Sequence, residues 1–139
     1  MMGAYLLYAF TSEVLETTLV RALADGPLAD APAYFAVRNQ PLVLAAKVVF
    51  GGLMGILAGY MSAKVAGAEE MGHGAATAAI QTAAMVYGYT AGEFAAFTPI
   101  WARVVLVLTT GPAVLAGAAI RRKARLALDE GGTATGGQQ

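Results

Sequence analysis

The chain has 139 residues, nine basic against nine acidic side chains, one histidine and no cysteine; 58% of it is apolar and only 13% charged. A soluble domain carries about 25% charged residues. The composition therefore excludes a disordered chain, a nucleic-acid binder driven by net positive charge and a disulfide-stapled secreted domain, and it is not that of a soluble enzyme. The apolar residues form four blocks, each near the ~20 residues that cross a bilayer. They predict an all-α fold, a four-helix transmembrane bundle, occupying residues 1–125 and followed by a flexible tail over 126–139.

The first span is expected over about 2–24 and is the least apolar, being interrupted by Glu13, Glu16 and Arg21. With no basic residue before Arg21 it lacks the leading region of a cleavable signal peptide and should remain as a helix. From Asp25 to Gln40, the Gly26-Pro27 and Ala31-Pro32 steps predict extended or turn backbone. The second span, 41–67, opens on Pro41, where the missing N–H is harmless in a first helical turn. A tight Glu69-Glu70 turn leads to the third span, 72–90. The fourth, 99–120, starts at Thr98-Pro99, a capping residue followed by a first-turn proline, and ends at the basic run Arg121, Arg122, Lys123 and Arg125. Strands are excluded because the blocks lack period-2 alternation, and an open sheet edge is not viable in lipid.

Basic residues gather on the cytoplasmic side of membrane proteins. The run from Arg121 to Arg125 places the C-terminus inside, and four crossings return the N-terminus to the same side, with Lys64 inside and Arg21 and Arg38 flanking an outer loop. Tyr34, Phe35, Tyr87, Tyr89, Phe94, Phe97 and Trp101 then lie at the outer interface, where amphipathic rings prefer to sit. Arg121, Arg122, Lys123 and Arg125 are read as anchors to anionic lipid.

In the second span Gly51, Gly55 and Gly59 recur every four residues, and Ala63 and Gly67 extend the row along one helix face. Such a row lets another backbone approach closely. The third span offers Ala75, Ala79 and Ala83 as a partner row, and the fourth adds Ala113 and Gly117 after a kink expected at Gly111-Pro112. Packing of the second span on the third is the first expectation; a homo-oligomer or partner-subunit face is the sharper one.

Four ionisable groups fall inside spans: Glu13, Glu16, Lys47 and Arg103. Each costs about 2.5–3.5 kcal/mol at mid-bilayer on insertion scales. At 1.5 Å per residue, Glu16, Lys47 and Arg103 lie roughly 12, 9 and 7 Å below the outer ends of their helices. Two carboxylates and two cations share one half of the membrane, which predicts pairing of Glu16 with Lys47 and of Glu13 or Glu93 with Arg103. The plain reading is that these pairs fix helix register; the functional one is a proton or cation site at Glu13 and Glu16. His73, between two glycines, could ligate the metal of a pigment or haem, or simply hydrogen-bond Glu69 or Glu70 across the turn. A single histidine without cysteine supplies no set of metal ligands, and neither a phosphate-binding loop nor a nucleophile triad is expected. Asp25, Asp30, Glu69 and Glu70 are read as solvated loop residues.

The stretch KVVFGGLMGILAGYMSAKVAGAEEMGHG, Lys47 to Gly74, resembles the middle of small uncharacterised four-helix bacterial membrane proteins through Gly55, Ala58, Gly59, Tyr60, Ala63, Ala66, Gly67 and His73. The stretch Gly111 to Gly117 is similar to the close of their fourth helix, while Glu69-Glu70 and the glutamates of the first span depart from their pattern. The resemblance implies the topology and a bacterial cytoplasmic membrane, and no activity. The expected function is a non-catalytic accessory or structural subunit of a larger membrane complex, in contact with lipid and with other membrane subunits or copies of itself. The alternatives are a small cation-coupled transporter or channel using Glu13 and Glu16, and a pigment- or haem-associated subunit using His73.

Overall fold

The computed structural model describes residues 2–67, 69–92 and 95–135, with side chains described over 10–67, 69–92 and 95–129. The described residues are all-helical: α1 Met2–Leu23, α2 Ala31–Arg38, α3 Pro41–Ala66, α4 Glu70–Thr90 and α5 Ile100–Thr135, with a 3₁₀ turn at Ala95–Phe97 before α5. Two of these, Pro41–Ala66 and the Ile100–Asp129 part of α5, are long and apolar enough to cross a membrane. α1 and α4 have 22 and 21 residues but carry more polar side chains.

Two boundaries depart from the sequence reading, at α2 and at the end of α5. α2 occupies a stretch expected to be extended. Its start is set by Asp30, whose carboxylate accepts from the Ala33 N–H at 2.8 Å, and by Pro32 in the first turn. Proline disfavours helix before itself, but at the start of a helix its fixed φ and missing N–H cost nothing, and the aspartate cap decides the outcome. α5 continues past 120, the expected end of the fourth span, and includes residues 126–135 of the expected tail. It also runs through Pro112 as one helix; the proline leaves the Leu108 carbonyl without its N–H, and in the preceding turn the hydroxyls of Thr109 and Thr110 donate to the carbonyls of Val105 and Leu106. Residues 136–139 of the expected tail lie outside the described residues.

α3 is the central element and packs most extensively on α5. The cause is the glycine row. Gly55 lies against Ala113, with 3.0 Å between a Cβ built on the glycine and the alanine Cβ. A Cβ on Gly59 would overlap the Val114 carbonyl, and one on Gly117 would overlap the Ile56 carbonyl. Each helix thus receives the other's backbone. The numbers rise together along the contact, so α3 and α5 run parallel. The first packing expectation is corrected here: the glycine face of the second span meets the fourth, not the third. Gly67 does not extend the row; it is the α3 C-cap at φ 71°, a left-handed conformation that glycine adopts freely.

α4 runs antiparallel to both, its buried face being Gly74, Thr77, Ala78 and Gln81. Gly74 abuts Ala118, the Ser62 and Thr77 hydroxyls pair at 2.7 Å, and the Thr110 hydroxyl donates to the Met85 sulfur at 2.8 Å. The expected partner row Ala75, Ala79 and Ala83 faces outward and is exposed. The inward face carries Thr77, paired with Ser62, and the buried Gln81. α1 lies on α3 and α2, closing the bundle from the opposite side.

Candidate functional site

The charged groups meet where α2 crosses the ends of α1, α3 and α5. Glu16, one turn before the buried Val20 of α1, projects inward and is 7% exposed. Lys47 Nζ donates to its Oε2, and Arg38 Nε donates to its Oε1 at 2.6 Å. The Tyr34 hydroxyl donates to the same Oε1 at 3.1 Å. Arg38 carries the cluster onward: Nη1 donates to the Thr98 hydroxyl at 2.8 Å, and its guanidinium lies 5.0 Å from the centre of the Phe35 ring. Phe35 stacks on Phe97 at 5.1 Å, and Asn39 Nδ2 donates to the Phe97 carbonyl at 2.6 Å. The last turn of α2 is thereby pinned to the loop that precedes α5. Burial pushes the Tyr34 phenol above its ordinary range, with the Glu16 carboxylate beside it acting in the same direction.

Of the intramembrane network expected from sequence, the structure brings Glu16 and Lys47 together. Arg38, read as flanking an exposed loop, is instead 5% exposed and Glu16's second cation. Among the described residues Arg103 bonds carbonyls, Nε donating to Thr98 at 2.6 Å and Nη1 to Tyr89 at 3.3 Å. Five donors in a fixed fork let it gather carbonyls freed at a helix end. Glu13 is exposed, and Glu93, together with Phe94, lies outside the described residues.

Between α1, α2 and α4 the cluster floors an open cleft of about 600 Å³. Glu13 and Glu16 contribute from α1, Tyr34 and Arg38 from α2, and Gly88 and Tyr89 from α4. Lys47 is absent from this wall and lines the small pocket on the far side of Glu16, beside Leu19 and Phe50. The missed signal was α2 itself. With Asp30 recognised as a cap, Tyr34, Phe35 and Val37 become the apolar face of a short helix, and Arg38 falls at its inner end.

A second ion pair sits at the other end of the bundle. Glu70, read as solvated, is 2% exposed and receives Arg125 through Nε at 2.5 Å and Nη2 at 3.2 Å. Arg125, read as a lipid anchor, is therefore an intrachain partner that also reaches Asp129 at 3.3 Å. Arg122 and Lys123 are exposed, and Arg121 is half-buried. Asp30, also read as solvated, caps α2, while Asp25 and Glu69 are exposed. His73 Nδ1 lies 3.2 Å from the Glu69 carbonyl, within its own helical turn. Among the described residues no three histidine or carboxylate side chains gather into a metal-binding group.

No protein-family model, curated protein or solved structure matches the chain.

Proposed function

We propose that the chain is an integral protein of the bacterial cytoplasmic membrane with four spans, α1, α3, α4 and α5, and both termini on the cytoplasmic side, and that it serves as a non-catalytic structural subunit of a larger membrane complex. One observation carries this reading. Apart from the exposed Glu13, the deep charges are engaged within the chain, while the outer surface is apolar. Glu16 is held by Arg38 and Lys47, Arg103 by backbone carbonyls, and Glu70 by Arg125. Outside, Leu42, Leu53, Val65, Ile100, Trp101 and Leu108 are exposed. Only 28% of the most apolar window of α3 and of α5 is buried inside the fold. A soluble monomer rarely leaves so much contiguous apolar surface in water. Lipid and neighbouring helices cover it, and the outward Ala75, Ala79 and Ala83 allow close approach of another helix.

Native electrophoresis after gentle solubilisation of the tagged chain from its own membrane tests the assignment. A large hetero-complex supports it; a small uniform homo-oligomer or a monomer overturns it. Labelling of single cysteines placed at Asp25 and at Lys123 in intact cells tests the topology, with Asp25 reached from outside and Lys123 protected.

A further inference from the structure

We infer that the cleft between α1, α2 and α4 binds a monovalent organic cation with an apolar body, and that Glu13 is its counter-ion. The cleft is of ligand size, about 600 Å³, where small-molecule pockets span roughly 300–1,000 Å³. Among the described residues its wall carries three carboxylates, Glu13, Glu16 and Asp30, against one guanidinium, Arg38. Their availability differs. Glu16 is occupied by Arg38 and Lys47, and one oxygen of Asp30 caps α2. Glu13, one turn from Glu16 on the same face of α1, is exposed on the cleft wall. Lys47 stands behind Glu16, on the far side from the cleft, and moderates the field without closing the site.

The remaining wall decides which cation. Tyr34 stands beside the Glu16 carboxylate, and Phe35, Tyr89, Gly88, Gly92 and Ala95 supply aromatic and small apolar residues to the same lining. A small inorganic ion needs several oxygens to replace its water shell, and the described residues gather no such group here. A weakly hydrated alkylammonium gives up little water, is attracted to aromatic faces and buries its body on the small residues. An acidic wall in a low-dielectric surround focuses the field and disfavours an anion. The inference is independent of the subunit assignment, since a chain inside a complex or on its own either holds the cation or does not.

The test is calorimetric titration of the full chain in detergent with benzyltrimethylammonium, beside its uncharged isostere neopentylbenzene. Two variants accompany it. Glu13→Gln removes the counter-ion from an exposed position. Gly88→Leu fills the cleft, because a Cβ at Gly88 meets nothing within 4 Å and the leucine enters open space. The wild-type chain should bind the cation, with the isostere and each variant weaker by about tenfold or more, the factor that 1.4 kcal/mol represents. Absence of binding by the wild type, equal binding of the isostere, or unchanged affinity in a folded Glu13→Gln chain overturns the inference. If Glu13→Gln fails to fold, unchanged affinity in Gly88→Leu does so.

Discussion

Gly59 of α3 and Val114 of α5 touch backbone to backbone: the space that a side chain on residue 59 would need is filled by the Val114 carbonyl. Gly59→Ala and Gly117→Ala should each destabilise the chain by about 1–3 kcal/mol or more, because a Cβ there displaces main chain and not a flexible side-chain tip. Gly52→Ala, with nothing within 4 Å of its Cβ, should be neutral or stabilise by up to about 1 kcal/mol through helix propensity. Thermal unfolding of the three variants in one detergent checks the contrast, and equal effects at Gly52 and Gly59 would refute the packing.

Glu16 is the shared partner of two cations, the buried Arg38 and the half-buried Lys47. Glu16→Gln should cost about 3–5 kcal/mol, since it leaves Arg38 and Lys47 uncompensated. Adding Lys47→Met to that variant should recover part of the loss, so the double mutant is more stable than the two single effects predict when summed. Arg38→Lys should not restore the wild type, because a point charge cannot serve the Glu16 carboxylate and the Thr98 hydroxyl together. Additive single-mutant losses in a double-mutant cycle would show that the three groups act separately.

At the other end of the bundle Arg125 donates to both oxygens of the buried Glu70 carboxylate. Glu70→Gln and Arg125→Met should each lower the unfolding temperature, and the double variant should lose less than the two single losses summed, because the two groups face each other. Additive losses in that double-mutant cycle would show that the pair contributes nothing to stability.

Gln81 is 1% exposed, and neither atom of its amide has a hydrogen-bond partner among the described residues. An unpaired buried amide costs about 1–3 kcal/mol. Gln81→Met, similar in volume and free of that cost, should raise the unfolding temperature. A fall would reveal an internal hydrogen-bond partner, such as a bound water, that the amide satisfies.

The helical class and the start of α3 were legible because apolar block length and Pro41 act locally along the chain, whereas the end of α5 was not. Helix pairing was not. Gly55, Gly59, Ala63, Ala75, Ala79 and Ala83 all read as small-residue rows, and nothing in their spacing distinguishes a row that meets a backbone from one that faces outward. That choice is made by the third helix in the contact, through Val114 and Gly117. The Arg38 position was hidden for a different reason. Ala31-Pro32 looked like a helix breaker, and only the Asp30 cap turns it into a helix start. Likewise Glu70 and Arg125, 55 residues apart, carry no local mark of their pairing.

The interlocked α3–α5 crossing leaves little room for those two helices to slide, and the Arg38 junction ties α2 to the loop before α5. The remaining leaf is α1, which rests on α3 and α2. The wall of the cleft that carries Glu13 is thus tied to α2 and α3 through Glu16, whose carboxylate joins Arg38 and Lys47.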